Sequence, residues 1–205
     1  MNPLFQHDQQ WRQQHGITHL AGVDEVGRGP LAGPVCAAAV ILPAHFYHLE
    51  IRDSKRLNPR KRRQLAVVIQ ESALAYSVST VSPHQIDRIN IRQATRKAMQ
   101  QAAWELPTVP EHIVLDGNES ALSLPAHHTS IVKGDQLSLC IAAASILAKV
   151  YRDAIMDHYD TIFPQYGFTK HKGYGTAQHR QALLFHGLTP IHRRSFCRNF
   201  PDSSW

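Results

Sequence analysis

The segment Gly22-Val23-Asp24-Glu25-Val26-Gly27-Arg28-Gly29 joins two adjacent acids to a glycine-rich turn, and we expect the chain to fold around it. Apolar residues flank the segment, because a strand-like run over 35–42 follows it closely. Carboxylates in such surroundings lose their hydration and repel each other, so they must be protonated, paired or neutralised by a cation. The alternative is an acidic pair at a strand end that points into water.

The composition is that of a globular protein with a substantial core. The chain has 205 residues, of which 43% are hydrophobic and 19% are charged. No apolar run is long enough to span a membrane, and the polar start, 1–16, lacks a signal-like core. Cys36, Cys140 and Cys197 are too few and too far apart for a disulfide framework or a paired-cysteine zinc site. We therefore expect a cytoplasmic protein with reduced, buried thiols.

The net charge of +6 is unevenly distributed. Residues 52–63 contain seven basic side chains and one acid, and residues 161–200 contain six basic side chains and no acid. The rest of the chain is therefore net acidic. Two basic zones around an acidic centre suit a polyanion laid across carboxylates, as in an enzyme that acts on nucleic acid. Each zone alone is also consistent with a solvated face.

Hydrophobic periodicity predicts strands that alternate with helices. We predict strands at 18–26, 33–42, 75–81, 112–115 and 129–132. We predict helices from Pro59 to about Ala73, from Pro83 to the break at 105–110, from 138 to 159, and from about 176 to 186. This order of elements is typical of a mixed sheet with helices on its faces.

Four acids lie at the ends of predicted strands. Asp24 and Glu25 end the first strand, Asp116 follows a second, and Asp135 follows a third. If these strand ends are neighbours in one sheet, the acids converge, and divalent cations with oxygen ligands would relieve their repulsion. Mg²⁺ or Mn²⁺ suits such a site, and the chemistry that it serves is phosphodiester hydrolysis. Taken singly, Asp116 could belong to a turn and Asp135 could cap a helix.

Residues 27–32 also match a dinucleotide-binding fingerprint of the form G-x-G-x-x-A. That motif requires a helix to begin within it. Here Pro30, Gly33 and Pro34 precede a strand-like run, so the match is accidental.

An ordered series of motifs over about 19–198 closely resembles the ribonuclease HII family, within the ribonuclease H-like superfamily. The motifs are 22–29, Asp53-Ser54-Lys55, 86–91, Asp116-Gly117, Lys133-Gly134-Asp135, 142–149 with Arg152-Asp153, and 171–176. The resemblance implies a ribonuclease H-like mixed β-sheet flanked by helices, with a C-terminal helical extension at about 160–200. It also implies one catalytic domain over 18–205 after a tail at 1–17. Those 17 residues cannot supply the extra N-terminal domain of the related ribonuclease HIII.

The resemblance further implies an activity and a set of site residues. Members cleave, with divalent metal, 5′ to a ribonucleotide in RNA/DNA hybrids or in duplex DNA with embedded ribonucleotides, and leave 3′-hydroxyl and 5′-phosphate ends. Asp24, Glu25, Asp116 and Asp135 are the implied catalytic metal ligands. Gly27, Arg28 and Gly29 would contact the 2′-hydroxyl and the adjoining phosphates, Lys55 would bind phosphate, and Tyr174 would pack on the sugar after the ribonucleotide.

Two other functions use the same fold. A structure-selective DNA nuclease or resolvase would share the carboxylates but not the 2′-hydroxyl reader, and a non-catalytic hybrid-binding module would be expected to lack a carboxylate. We expect a monomer that has no contact with membranes. The sequence identifies no protein partner.

Overall fold

The computed structural model describes residues 2–51, 54, 57–119 and 122–200, and it contains a five-stranded sheet. The strands are β1 (Leu20–Val26), β2 (Val35–Ile41), β3 (Ala75–Val81), β4 (His112–Asp116) and β5 (His127–Ile131). The α-helices are α1 (Pro3–His15), α2 (Pro59–Ser72), α3 (Pro83–Trp104), α4 (Leu139–Ile162), α5 (Phe168–His171) and α6 (Ala177–His186). Short 3₁₀ turns occur at Gly134–Gln136, Pro164–Tyr166 and Arg194–Phe196.

The sheet is mixed and has the strand order β3-β2-β1-β4-β5. The three strands β1, β2 and β3 form an antiparallel meander, whereas β4 and β5 run parallel to β1. Because parallel strands end at the same edge of a sheet, the carboxyl ends of β1, β4 and β5 lie side by side. The predicted mixed sheet with flanking helices is confirmed.

Helices cover both faces of the sheet. On one face, α3 packs its small residues Ala94, Ala98 and Ala102 against the sheet. On the other face lie α2 and the alanine-rich start of α4. The backbone of α4 approaches β1 closely at Gly22, where a Cβ would lie 2.1 Å from the carbonyl carbon of Cys140. A side chain at position 22 would therefore push α4 away from the central strand.

The C-terminal part of the chain forms a separate hydrophobic cluster. Its buried residues include Met156 of α4, Tyr166, Phe168 and Leu183, and the cluster also takes in Ala32 from the loop between β1 and β2. Ala32 pairs with His192 through an isolated antiparallel bridge. The C-terminal segment therefore packs directly on the loop that carries the glycine-rich motif.

The N-terminal segment, which the sequence predicts to be a tail, forms a helix. Asn2 caps α1, Pro3 begins it and Gly16 ends it in the left-handed conformation, which is the same Asn-Pro start as at Asn58 and Pro59. Asp8 and Arg12 are buried: Asp8 accepts from the backbone N–H of Cys140, and Arg12 donates to the carbonyl of Leu42. These bonds dock α1 beside the start of α4.

The helix α3 differs from the expected regular helix at Asn90. Asn90 has φ 65° and ψ 163°, so the helix is interrupted there, and the Asn90 side chain caps the continuation by accepting from the N–H of Gln93. Ile89, directly before this break, is 37% exposed. None of the helices in the described residues is both long and apolar enough to cross a membrane.

Candidate metal centre and nucleic-acid interface

The three acids Asp24, Glu25 and Asp116 converge at the carboxyl ends of β1 and β4. The parallel register pairs Val23 with Leu115, so the next residues, Asp24 and Asp116, are neighbours at the sheet edge. One ligand oxygen from each of the three carboxylates lies within 4.8 Å of the others. This separation suits oxygen ligands that surround a small divalent cation.

Backbone and side-chain donors hold two of these carboxylates in place. Asp24 accepts from the backbone N–H of Glu25 at 2.7 Å, and Asp116 accepts from the N–H of Gly134 at 2.7 Å. The Ser145 hydroxyl of α4 lowers the pKa of Asp24, and its Oγ lies 2.9 Å from the Oγ of Ser54. Ser145 has no role that the sequence alone predicts, although it stands at the centre of the apolar motif 142–149.

Asp135 lies next to this group but is not a member of the three whose oxygens lie within 4.8 Å. It is 3% exposed and follows Gly134, whose N–H is held by Asp116. The turn that carries it begins at Lys133 in the left-handed conformation, directly beyond β5. The chain therefore returns Asp135 to the same sheet edge as Asp116.

The electrostatics of the cluster favour a bound cation. Burial, followed by the charges of Glu25 and Asp116, raises the pKa of Asp24 well above its usual value. Burial also raises the pKa of Glu25, while Arg28 lowers it and Asp116 raises it further. Desolvation and mutual repulsion are the two effects that a divalent cation would offset.

The glycine loop, which consists of Gly27, Arg28 and Gly29, and the ring of Tyr174 lie beside these acids. Arg28 pairs with Glu25 at 3.3 Å, and both Arg28 and Gly29 are exposed. A Cβ on Gly29 would lie 3.8 Å from the ring of Tyr174, which is 41% exposed. The N–H of Leu31 donates to the carbonyl of Gly173 at 2.8 Å, so the two loops are joined. The structure thus brings Gly27, Arg28, Gly29 and Tyr174 together.

A cavity of about 120 Å³ opens on the α3 side of the acids. Glu25, Arg28 and Asp116 line one part of it, and Arg92 with Glu119 lines another. Arg92 pairs with Glu119 at 3.4 Å, so charges of both signs surround the cavity.

A second, larger concavity of about 430 Å³ lies between α2, α4 and α5, with Lys172 directly after α5. We call it the basic groove, and its charged lining consists of Arg62, Arg63, Lys149, Lys170, Lys172, Asp153 and Asp157. Five basic side chains against two acids make it net positive. Lys172 is two residues before Tyr174, so the groove adjoins the candidate substrate loop. Lys55 lies outside the described residues.

Two buried arginines also belong to this region, and the sequence alone predicts a role for neither of them. Arg152 and Arg193 have no exposed surface, and their guanidinium groups bond to backbone carbonyls of the loop between β1 and β2. Composition suggested only a basic C-terminal zone, because charge counting cannot distinguish a buried arginine from an exposed one.

Comparison with known proteins agrees with this geometry. A model of the ribonuclease HII family matches residues 21–199. The ribonuclease HII of Shouchella clausii (strain KSM-K16) is 51% identical over 195 residues, which cover 93% of this chain and 74% of that protein. The crystal structure of the ribonuclease H2 from Pyrococcus horikoshii OT3 superimposes with a TM-score of 0.75 at 25% identity, over 86% of this chain and 92% of the other.

A more distant structure shares the fold. Bst-RNase HIII in complex with Mn²⁺ superimposes with a TM-score of 0.65 at 19% identity, over 84% of this chain and 71% of that one. The match of the family model over most of the length, together with the 51% identity, decides the assignment. The chain belongs to the ribonuclease HII family.

Proposed function

We propose that this enzyme hydrolyses the phosphodiester bond on the 5′ side of a ribonucleotide, both in RNA/DNA hybrids and in duplex DNA with embedded ribonucleotides, and leaves 3′-hydroxyl and 5′-phosphate ends. Membership of the family makes the chain a metal-dependent endoribonuclease that acts on RNA/DNA hybrids. The observation that carries the finer proposal is the convergence of three carboxylates beside a glycine loop and an exposed tyrosine.

The residues present fit a hard divalent cation. Asp24, Glu25 and Asp116 offer only oxygen ligands, and the raised pKa values of Asp24 and Glu25 indicate that the cluster lacks compensating positive charge. We assign these three acids and Asp135 as the ligands, with Mg²⁺ or Mn²⁺ as the occupant. The Mn²⁺ complex of the structurally similar Bst-RNase HIII supports this choice. Such ions ready a water molecule and stabilise the leaving oxygen in an in-line displacement.

The chain's own groups select and hold the substrate. Gly27 has φ +93°, a conformation that favours glycine, and the absence of a side chain at Gly29 lets the backbone approach the sugar. Arg28 is exposed and can reach a phosphate, and the ring of Tyr174 offers a surface for the following sugar. The 2′-hydroxyl is the feature that distinguishes ribonucleotide from deoxyribonucleotide, so a close backbone is a suitable reader.

The basic groove supplies the sequence-independent part of binding. Arg63 and Lys170 are exposed, and Lys172 and Lys149 stand behind them in pairs with Asp157 and Asp153. Such a surface attracts phosphates without reading bases, and the affinity that it confers falls as salt rises. Lys55 precedes α2 in the sequence, and we place it among these phosphate ligands only because its motif resembles that of the family.

The two other functions are less well supported. A hybrid-binding module without activity would not need a desolvated carboxylate cluster, which is costly unless a cation binds it. A DNA nuclease on the same fold would have no use for an exposed tyrosine against a glycine backbone. The three free, buried cysteines support a cytoplasmic location.

A single assay tests the proposal. Duplex DNA with one embedded ribonucleotide and an all-DNA duplex of the same sequence are incubated with Mg²⁺, with Mn²⁺ or with EDTA. We expect a cut on the 5′ side of the ribonucleotide, in the ribonucleotide-bearing duplex alone and only when metal is added. Cleavage of the all-DNA duplex at a similar rate would favour the DNA nuclease, and binding without any cleavage would favour the non-catalytic module.

A further inference from the structure

Arg193 and Arg152 are charged side chains that are completely buried. Burial, and then the neighbouring charge of Arg152, lowers the pKa of Arg193 to about 9. No acid within the described residues forms a salt bridge with either arginine, and backbone carbonyl oxygens accept from both guanidinium groups instead. Burying two like charges in this way costs free energy, so the hydrogen bonds that the two arginines make must offset that cost.

Arg193 binds the loop between β1 and β2 through three separate donors, and two of them bond to the glycine loop. Its Nη2 donates to the carbonyl of Gly27 at 2.5 Å, its Nη1 to the carbonyl of Arg28 at 2.9 Å, and its Nε to the carbonyl of Gly33 at 3.0 Å. A planar guanidinium has donors in a fixed fork, so it fixes the orientation of the peptide groups that it binds.

Arg152 holds a different part of the same region. Its Nε donates to Pro34 at 2.9 Å, its Nη2 to Ala32 at 3.0 Å and its Nη1 to Lys172 at 3.0 Å, all at carbonyl oxygens. It therefore joins the base of the loop to the segment that leads to Tyr174, but it makes no hydrogen bond to the Gly27 or Arg28 carbonyl.

The bonds from Arg193 determine which groups the glycine loop can offer to a substrate. The described residues contain no cis peptide bond, and in a trans peptide the C=O and the N–H point in opposite directions. Because the carbonyls of Gly27 and Arg28 point at Arg193, the N–H groups of Arg28 and Gly29 point away from it. No carbonyl among the described residues accepts a hydrogen bond from either N–H.

The glycine loop is therefore a hydrogen-bond donor toward the exposed side. The carbonyls of Gly27 and Arg28 are occupied, and the positive charge behind them polarises the peptides and strengthens the outward N–H groups as donors. A group that binds these two N–H groups must be a hydrogen-bond acceptor, such as a hydroxyl oxygen or a phosphate oxygen.

We propose that Arg193 is a specificity-determining positioning residue, which orients the Arg28 and Gly29 N–H groups so that they bind the 2′-oxygen and the adjoining phosphate of the ribonucleotide. This inference rests on the proposed function. Arg193 does not touch the substrate and acts through the two peptide groups. Asp87 secures the segment that bears Arg193, because it accepts from the N–H groups of Arg194 and Ser195 at 2.9 and 3.0 Å.

The test compares Arg193→Lys with Arg152→Lys. Both changes keep a buried positive charge and remove the planar fork, but only the first releases the Gly27 and Arg28 carbonyls. Binding of the ribonucleotide-bearing duplex and of the all-DNA duplex is measured by fluorescence anisotropy in Ca²⁺, together with the affinity for Mn²⁺ by calorimetry. We expect Arg193→Lys to lower the preference for the ribonucleotide at least tenfold, with affinity for all-DNA duplex and for Mn²⁺ within twofold of wild type.

The controls separate this inference from the proposed function and from a loss of folding. Arg152→Lys should keep the preference within threefold. If Arg193→Lys does not fold, Asp87→Ala releases the same segment from the surface of α3 and should lower the preference about threefold. An unchanged preference in folded Arg193→Lys, or in Asp87→Ala when the lysine variant does not fold, would overturn the inference. A wild-type protein without any preference would instead overturn the proposed function.

Discussion

Replacing Asp116 by Asn should stabilise the metal-free protein while it abolishes cleavage. The asparagine Oδ1 can still accept from the N–H of Gly134, so the local hydrogen bond survives. What is lost is one of three charges whose oxygens lie within 4.8 Å of one another. At that separation each fully ionised pair costs about 3 kcal/mol with an effective dielectric constant of about 20.

Partial protonation reduces this gain. The pKa values of Asp24 and Glu25 are raised, so both groups take up protons as the pH falls, and the repulsion that remains to be relieved shrinks. We therefore expect a gain in the free energy of unfolding of about 1–3 kcal/mol at pH 8 in EDTA, and a smaller gain at pH 5.5.

Urea denaturation followed by circular dichroism measures this difference, with and without Mg²⁺. Bound metal should stabilise the wild type by about 2.7 kcal/mol at a concentration 100 times its Kd, and should stabilise the variant less. Glu71→Gln is the matched control, because Glu71 is exposed on α2 and its neutralisation should change neither stability nor cleavage. Lower stability of Asp116→Asn in EDTA, or normal cleavage by it, would refute the assignment of Asp116.

Three further predictions concern the loops and the core. Tyr174→Ala should lower kcat/KM on a duplex with one ribonucleotide by roughly tenfold, since we propose that its ring packs on the sugar after the ribonucleotide, and should leave Mn²⁺ affinity unchanged; equal loss of both would contradict the role. Gly22→Ala should destabilise the protein by about 3 kcal/mol or more in urea, because its Cβ would lie 2.1 Å from the backbone of α4, and an unchanged midpoint would show that α4 can shift freely. Burial lowers the pKa of His179 to about 4 and that of His192 to about 3, so both are neutral in the folded state and the unfolded state binds more protons below pH 6.5. The two neutral histidines contribute their full stabilisation above that pH, and the free energy of unfolding falls by about 2 kcal/mol for each histidine between pH 7.5 and 5. His179→Gln should reduce the number of protons taken up on unfolding by about one. An unaltered slope of the unfolding free energy against pH would refute this.

Periodicity and capping residues predicted much of the architecture. The strand β3 was predicted at its observed limits, and Asn58, Ser82, Ser138 and Thr176 cap the helices that they were expected to precede or begin. These features are local, so one sequence contains them. The helix α1 was missed because its surface is mostly polar, although Asn2, Pro3 and Gly16 carry the start and stop signals.

The convergence of the acids could be expected from the strand ends, but the hydrogen bonds from Arg193 to the glycine loop could not. Asp24 and Asp116 follow apolar strands, and two parallel strands bring their ends together without further information. Arg193 bonds to residues 160 or more positions away, and neither periodicity nor charge counting reports which carbonyls a distant arginine will meet. The same holds for Ser145, whose neighbours Asp24 and Ser54 are fixed by packing rather than by spacing.

The long separation between Arg193 and the glycine loop has a consequence for biosynthesis. A ribosome makes Asp24 and the loop before Asp116, and it makes Arg193 about 165 residues after the loop. Contacts between distant parts of a chain form late, after the entropy cost of closing the intervening loop has been met. Until residue 193 has been made, the carbonyls of Gly27 and Arg28 lack the donor that orients these peptides, so a growing polypeptide cannot yet favour a ribonucleotide in the way that we propose.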